Sequence, residues 1–379
     1  MLTDSRATAT VYIGTFTTKG AAGIYIGRLE ITTGALEITD VVAGVASPAF
    51  LALHPSLPYL YAVNEVREFA GQPAGGVSAF AIHPTTGRLT LLNQQSSGGA
   101  GPCHLSVDAT GRCVLVANYG GGSVAVLPVG ADGSLGERSD FVQHHGSSVN
   151  PRRQGKPYAH SITPDPTNRF ALACDLGADR VLVYRLDPAA GRLTPNAMPW
   201  IATQPGAGPR HLALHPNGRY LYVINELNST LVAYAFDPEQ GDLAELQTVS
   251  TLPASFTGEN WPADVHVAAS GLFVYGSNRG HDSIVIFAID PATGQLSLVG
   301  HTSTEGRWPR NFALDPTGAY LLAANQESNT VVTFRLDRET GLLRPTGHVV
   351  EIPCPVCVRV LQPQEPADAA PSPLRAVAA

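Results

Sequence analysis

Short runs of alternating hydrophobic and polar residues, joined by tight turns, run along most of the chain. Within residues 208–229, the runs HLALH and YLYVIN flank the turn PNG. Alternation with a period of two predicts β-strands, and so short a turn predicts an antiparallel hairpin. Polar residues collect at one end of this hairpin, with Arg210 and His211 on one strand and Asn225 and Glu226 on the other. This cluster is a candidate functional site.

The hairpin belongs to a unit that recurs along the chain. A Gly-x-Leu sequence after a polar turn occurs seven times, 46 to 58 residues apart, at Gly34, Gly87, Gly133, Gly191, Gly241, Gly294 and Gly341. The unit that contains residues 208–229 has four alternating runs, HLALH, YLYVIN, TLVAYAFD and DLAELQTV. Seven such units predict an all-β fold, a seven-bladed β-propeller with four-stranded antiparallel blades.

The two ends of the chain complement each other. VYIGTF at residues 11–16 aligns with a second strand, so the first unit lacks its own first strand. PVCVRVLQ at residues 355–362 resembles a first strand that has no following partners. We expect these terminal strands to pair and close the ring, which removes two open sheet edges. The predicted organisation is a flexible N-terminus (1–9), one propeller domain (10–362) and a disordered Pro/Ala-rich tail (363–379).

The composition of the chain limits which partners it is expected to bind and in which cellular compartment it is expected. The net charge of −7 and the pI near 5.9 argue against nucleic acid and anionic membrane as partners. No apolar run approaches the roughly 20 residues of a membrane span, and the N-terminus lacks the pattern of a signal peptide. Five cysteines in 379 residues imply no disulfide framework. We expect a cytoplasmic protein that is a monomer or a weak dimer.

Strand direction predicts where the polar residues of the repeats meet. In a four-stranded meander, the start of strand one and the end of strand two share an edge, and strand one lines the channel of a propeller. The expected strand-one starts are Phe50, His104, His160, His211, Asp264 and Asn311. The expected strand-two ends are Asn64–Glu65, Asn118–Tyr119, Asp175–Leu176, Asn225–Glu226, Asn278–Arg279 and Asn325–Gln326. These residues should converge at one mouth of the channel.

Residues that break the repeat indicate function better than those that recur. The recurring asparagines are explained by tight turns, which Asn favours. Glutamate, however, ends strand two only as Glu65 and Glu226, and Arg279 is alone at its position. Arg210 recurs only as Arg310. Arginine binds phosphate or carboxylate, and His and Glu transfer protons, so the cluster predicts a site for a small anion. The alternative is a salt-bridge network that holds loops.

Four segments carry a resemblance to a known family: VYIGTFT (11–17), YAHSITPDP with DLGADRVLVY (158–184), GPRHLALHPNGRYLYVINEL (208–227) and YGSNRGHDSIVIF (275–287). Through them the chain resembles the bacterial lactonase family of seven-bladed propellers, whose named activity is 6-phosphogluconolactonase. It is also similar to fungal 3-carboxy-cis,cis-muconate lactonizing enzymes. The likeness covers about residues 10–361. The active residues proposed for the muconate enzymes match His160, Arg210, Glu226 and Arg279, which the resemblance implies as catalytic.

Other residues near the predicted face complete the candidate substrate site. They are His104, His211, Asn225, Asn278, His281, Arg310 and Lys156. The chain departs from the family in one place, because Tyr158 stands where family members often have a second histidine. Lys156, one of only two lysines in the chain, could hold an anion there instead.

The leading hypothesis is hydrolysis of a sugar lactone, 6-phospho-D-glucono-1,5-lactone, in the pentose phosphate pathway. His160 or Glu226 would act as the base for water, while Arg210 and Arg279 would divide the oxyanion and the phosphate between them. This scheme needs no metal and no cofactor.

Three alternatives stay open. One is a muconate-type cycloisomerase that uses the same residues. Another is a calcium-dependent lactonase with oxygen ligands from Glu65, Asn118, Asn225 and Asn278. The third is a binding scaffold without chemistry, for which Trp200, Trp261 and Trp308 are the tryptophans available.

Overall fold

Seven four-stranded sheets make up the molecule. A computed structural model describes residues 8–361, which contain 28 strands and one 3-10 helix at Thr17–Lys19. Blade 1 contains β1 (Thr8–Thr15), β2 (Gly23–Glu30) and β3 (Leu36–Ala43). Blade 2 contains β4 (Leu51–Leu53), β5 (Tyr59–Asn64), β6 (Gly76–Ile82) and β7 (Leu89–Ser96). Blade 3 contains β8 (Pro102–Val107), β9 (Cys113–Asn118), β10 (Ser123–Pro128) and β11 (Asp140–Gln143). Blade 4 contains β12 (Ala159–Pro164), β13 (Phe170–Asp175), β14 (Arg180–Asp187) and β15 (Arg192–Ala202). Blade 5 contains β16 (Pro209–Leu214), β17 (Tyr220–Asn225), β18 (Thr230–Phe236) and β19 (Leu243–Ser250). Blade 6 contains β20 (Trp261–Val267), β21 (Phe273–Arg279), β22 (Ser283–Ile289) and β23 (Leu296–Ser303). Blade 7 contains β24 (Pro309–Leu314), β25 (Tyr320–Asn325), β26 (Thr330–Leu336) and β27 (Leu343–Glu351). The last strand, β28 (Pro355–Val360), completes blade 1.

Each blade is an antiparallel meander whose strands pair in chain order, except that β28 is the first strand of blade 1. The first strand of each blade contacts the first strand of the next. The predicted all-β, seven-bladed propeller with four-stranded antiparallel blades is therefore confirmed. The first strands surround the central channel, so residues at their starts meet at one mouth.

The ring closes through the two ends of the chain, as predicted. β28 pairs with β1 from Val11–Val360 to Thr15–Pro355, and the Leu361 N–H donates to the Thr10 carbonyl at 2.8 Å. Residues 8 and 9, expected to be part of a flexible N-terminus, belong to β1, because Thr8 pairs with Glu30, Ala9 pairs with Leu29 and the Ala9 side chain is buried. The predicted tail at 363–379 lies outside the described residues.

Contacts between blades explain why Gly-x-Leu recurs. The Tyr61 hydroxyl in blade 2 donates to the Gly133 carbonyl in blade 3 at 3.1 Å, and Tyr222 in blade 5 does the same to Gly294 in blade 6. Gly133 has φ of +80°, and a Cβ there would lie 2.4 Å from the Tyr59 ring. The marker is thus both a turn and a contact between neighbouring blades, because only glycine tolerates that φ and that close approach.

Removing the closing strand tests this architecture. A chain that ends after Glu351 loses β28, which leaves β1 as an unpaired edge beside the channel. We expect this variant to aggregate or to lose its cooperative thermal transition. A matched variant that ends after Leu361 keeps every described contact of β28 and should melt as the full chain does. Equal melting curves for the two truncations would contradict the closure.

Candidate active site

A β-bulge at the start of the first strand positions the key side chains. In blade 5, Pro209 pairs with Asn225 and His211 pairs with Ile224, so Arg210 is the extra residue. His160 in blade 4, Cys103 in blade 3 and Arg310 in blade 7 occupy the same bulged position. Bulges redirect side chains at sheet ends. The sequence alignment of His160 with His104 and His211 was therefore wrong by one residue, since His160 is equivalent to Arg210.

Glu226 lies at the centre of a buried cluster of arginines. Its Oε2 accepts from Arg210 Nε at 3.0 Å and from Arg279 Nη2 at 2.7 Å, and its Oε1 accepts from Arg153. Glu226 and Arg279 are each 5% exposed and Arg210 is 2% exposed. Burial alone would raise the pKa of Glu226, but the charges of Arg279, Arg210 and Arg153 lower it to about 2. Glu226 is consequently ionised and compensates the buried cations.

Two guanidinium nitrogens remain free to bind a ligand. Arg210 Nη1 donates to the Ala263 carbonyl, and Arg279 Nε donates to the Trp261 carbonyl at 2.8 Å. Within residues 8–361, however, Arg210 Nη2 and Arg279 Nη1 have no hydrogen-bond partner. Burial lowers the pKa of Arg279 to about 9, which still leaves it charged at neutral pH. Unpartnered donors on buried arginines suit a developing oxyanion.

A polar chain continues from Arg210 through the channel. Arg210 Nη1 lies 3.3 Å from His211 Nε2, and His211 Nδ1 lies 2.8 Å from Asp264 Oδ1. Because an arginine can only donate, His211 Nε2 accepts and Nδ1 carries the proton. Burial, with the charge of Arg210, lowers the pKa of His211 to about 4. His211 is thus a neutral residue that helps orient Arg210.

His160 is a neutral imidazole with one free nitrogen. The Cys103 thiol donates to the His160 carbonyl at 3.2 Å, and its sulfur lies 3.7 Å from His160 Nδ1. This pattern assigns the proton to Nδ1 and leaves the Nε2 lone pair free. Burial, with the nearby charge of Arg210, holds the pKa of His160 well below its ordinary value. The ring also contacts Tyr119, with 5.3 Å between centroids.

A cavity of about 690 Å³ opens beside this cluster at the predicted mouth. Its charged lining residues are Glu65, Arg67, Arg152, Arg153 and Lys156, and Tyr119 and Tyr158 form an aromatic wall. Arg153 lines the cavity and also donates to Glu226, and Tyr119 lines the cavity and also contacts the His160 ring. Four cations around one cavity in an acidic chain favour an anionic ligand.

The structure does not bring all the expected residues into this cluster. His211 reaches the cluster only through Arg210, and both it and His104 line a different cavity, of about 540 Å³, at the other end of the first strands. The contacts of His281 go to Phe256, His301 and Ser283. Arg310 does lie near the cluster, and its guanidinium stacks over Phe16 at 5.2 Å.

Asn225 and Asn278, which were also expected in the substrate site, bond within the protein, in keeping with the structural role that their recurrence indicated. The Asn225 side-chain amide donates to Thr230 Oγ1 at 2.9 Å, and the Asn278 amide donates to the Thr251 carbonyl at 2.8 Å. In the described part of the chain, no three His, Cys, Asp or Glu side chains are arranged to hold a metal ion.

Sequence reasoning missed Arg153, the third partner of Glu226. It lies in the loop at 144–158, between β11 and β12. The one available signal was spacing, because the 58 residues between Gly133 and Gly191 are the longest interval in the repeat. Of the tryptophans, Trp261 and Trp308 lie at the site, with Arg279 over the Trp308 ring at 5.7 Å.

Comparison with known proteins agrees with this picture. The family model described as "Lactonase, 7-bladed beta-propeller" matches residues 10–360. The chain belongs to this lactonase family. The 6-phosphogluconolactonase of Bacillus subtilis is 40% identical over 295 residues, which is 78% of this chain and 82% of that protein. The 6-phosphogluconolactonase of Formosa agariphila is 36% identical over 78% of this chain and 83% of its own length.

Solved lactonase structures are similar over nearly the full chain. The periplasmic gluconolactonase of Pseudomonas aeruginosa superposes with a TM-score of 0.89 at 36% identity, covering 94% of this chain and 100% of that one. The predicted propeller and the resemblance to the lactonase family are both confirmed. No helix in the described residues is long and apolar enough to cross a membrane.

Proposed function

We propose that the protein hydrolyses 6-phospho-D-glucono-1,5-lactone to 6-phosphogluconate, the lactonase step of the pentose phosphate pathway. The observation that carries the proposal is the cavity lined by Arg67, Arg152, Arg153 and Lys156, which adjoins the Glu226 cluster. The family membership and the 6-phosphogluconolactonase relatives support the same reaction.

His160 is the better candidate for the base that activates water. Both oxygens of the Glu226 carboxylate already accept hydrogen bonds from arginines, so Glu226 positions the arginines and is not placed to take a proton from water. His160 is uncharged and its Nε2 lone pair is free. Water would lose a proton to this nitrogen as its oxygen attacks C1 of the lactone.

The two free guanidinium nitrogens supply the oxyanion contacts. As the C1 carbonyl oxygen gains negative charge, Arg210 Nη2 and Arg279 Nη1 donate to it. One positioned base contributes roughly 10²–10⁴-fold and one oxyanion donor roughly 10²–10³-fold. Together they are sufficient for a δ-lactone, which already hydrolyses in water.

Arg152 and Lys156 are proposed to bind the phosphate. Both are exposed at the cavity, and the Lys156 ammonium donates to the Gly120 carbonyl at 2.6 Å. In a double variant, Arg152→Ala with Lys156→Ala, KM for the phosphorylated lactone should rise at least about tenfold, because charge-assisted contacts are lost. KM for unphosphorylated glucono-1,5-lactone should not change. Arg192→Ala, an exposed arginine on β15, is the control. Equal KM increases for both lactones would contradict this assignment.

The function itself is tested by generating 6-phosphogluconolactone from glucose 6-phosphate and following its loss in the presence of a chelator. We expect faster loss with the protein than without it, and no acceleration with Arg210→Ala. A rate equal to the spontaneous rate would overturn the substrate, and the muconate-type lactone would be tried next.

We also propose a cytoplasmic location. All five cysteines are buried free thiols, which is typical of a reducing compartment. Immunodetection in cytoplasmic and periplasmic fractions tests it.

A further inference from the structure

Glu65 is a carboxyl that the mechanism above does not use. It follows β5 at the end of a second strand and lines the same cavity as Arg153 and Lys156. Its Oε2 atom is buried and accepts no hydrogen bond from any described residue. A buried polar atom without a partner in the protein is rare, and such an atom faces a water, a ligand or a reacting group.

The surroundings of Glu65 contrast with those of Glu226. Glu226 is bonded to three arginines, whereas Glu65 forms no ion pair within residues 8–361. Burial raises the pKa of Glu65, and the more distant charges of Arg310 and Arg210 oppose the rise without cancelling it. The two glutamates at one mouth therefore have opposite proton affinities, which is the usual basis for separate roles.

Glu65 and His160 lie two blades apart at the same mouth, where Glu65 lines the cavity and His160 contacts Tyr119 in the cavity wall. Glu65 belongs to blade 2 and His160 to blade 4, and blade 3 supplies Cys103 and Tyr119 between them. Cys103 contacts His160 directly, and Cys103 is near enough to Glu65 for the ionised form of that carboxyl to raise the thiol pKa. A lactone bound over Tyr119 would have His160 towards one edge and Glu65 towards the other.

We propose that Glu65 is the catalytic acid that protonates the departing ring oxygen of the lactone. This inference rests on the proposed function. In the first step the water oxygen bonds to C1, its proton moves to His160 Nε2, and the carbonyl electrons form the oxyanion. In the second step the oxyanion reforms C=O, the bond from C1 to the ring oxygen breaks, and the Glu65 carboxyl gives that oxygen its proton.

The protons balance over a complete turnover. After ring opening His160 is protonated, Glu65 is ionised and the product is a carboxylic acid. Water carries the proton from His160 back to Glu65, and the product acid releases one proton to solvent. A bound phosphate would neutralise Arg67, Arg152, Arg153 and Lys156 in part, which favours the protonated form of Glu65.

The test compares Glu65→Gln with the wild type and with Glu68→Gln, an exposed glutamate in the same loop. We expect Glu65→Gln to lower kcat roughly 10²-fold with KM within about threefold. Because an acid works only while protonated, wild-type kcat should fall as pH rises through the pKa of Glu65, and this limb should vanish in Glu65→Gln. Its thermal midpoint should not fall, since the carboxyl has no partner to lose. Glu68→Gln should match the wild type.

Each other outcome overturns the assignment. If the kcat of Glu65→Gln equalled that of the wild type, Glu65 would transfer no proton. A change in KM alone would make Glu65 a binding residue, and a lower kcat with the alkaline limb intact would make it a positioning residue. Failure of the proposed function is distinguishable, because in that case the wild-type protein would not accelerate lactone loss at all.

Discussion

Replacing Glu226 with glutamine is expected to lower lactone turnover about 10²–10³-fold and to destabilise the fold. Glu226 is the shared acceptor for Arg210, Arg279 and Arg153, and the first two are almost fully buried. Glutamine keeps the shape but leaves these cations uncompensated. Loss of one partner from a buried ion pair costs about 3–5 kcal/mol, and one displaced oxyanion donor costs about 10²–10³-fold in rate. Single-turnover kinetics and urea unfolding measure the two effects.

A second salt bridge provides the matched control. Glu239 pairs with Arg169 at 2.9 Å, but both side chains are exposed. Exposed pairs stabilise proteins little, so Glu239→Gln should leave both turnover and unfolding close to wild type. If Glu226→Gln and Glu239→Gln were equally mild, the central role of Glu226 would be refuted.

The same cluster predicts how stability depends on pH. The pKa of Glu226 falls from 4.5 to about 2 on folding. A carboxyl whose pKa is lowered on folding stabilises the protein at pH values above the pKa that it has in the unfolded chain. This stabilisation disappears as the pH falls from about 4.5 towards 2. Its size is roughly 3 kcal/mol, taking about 1.4 kcal/mol per pH unit. Glu226→Gln should therefore show a weaker loss of stability over this acid range than the wild type.

The fold could be predicted because its evidence is local and repeated. Seven Gly-x-Leu markers and the alternating runs between them fixed the number of blades, and the unpaired terminal runs indicated the closure. The tyrosine contact that explains the marker could not be predicted, since Tyr61 and Gly133 are 72 residues apart and meet only between packed blades.

The sequence predicted which mouth of the channel holds the site, but it did not predict the position of every side chain there. Arg210, Glu226 and Arg279 converge as strand direction implied. The position of His160 was not predictable, because blade 4 carries its histidine on the bulged residue, whereas blade 5 has Arg210 there and His211 one residue later. Arg153 was missed because its loop has no counterpart in the repeat, so periodicity says nothing about its path.

Replacing His160 with glutamine is expected to reduce kcat roughly 10²–10⁴-fold, the usual contribution of a positioned base. Stability should change little, because His160 is uncharged and its contacts are one weak sulfur bond and two ring contacts. Since burial holds the pKa of His160 well below its ordinary 6.5, protonation of the imidazole should lower wild-type kcat only at pH values clearly below 6.5. This acid limb should be missing in His160→Gln.

His281 makes the comparison decisive, because sequence alone placed both histidines in the candidate site. In the structure His281 bonds Ser283 Oγ at 2.6 Å and packs against Phe256, with no contact to the Glu226 cluster among the described residues. His281→Gln should therefore keep wild-type kcat, KM and pH profile. Rates are measured after subtraction of spontaneous hydrolysis at each pH. If His281→Gln lost turnover while His160→Gln kept it, the base would lie outside the cavity and the arginine cluster would bind the anion without carrying out the chemistry.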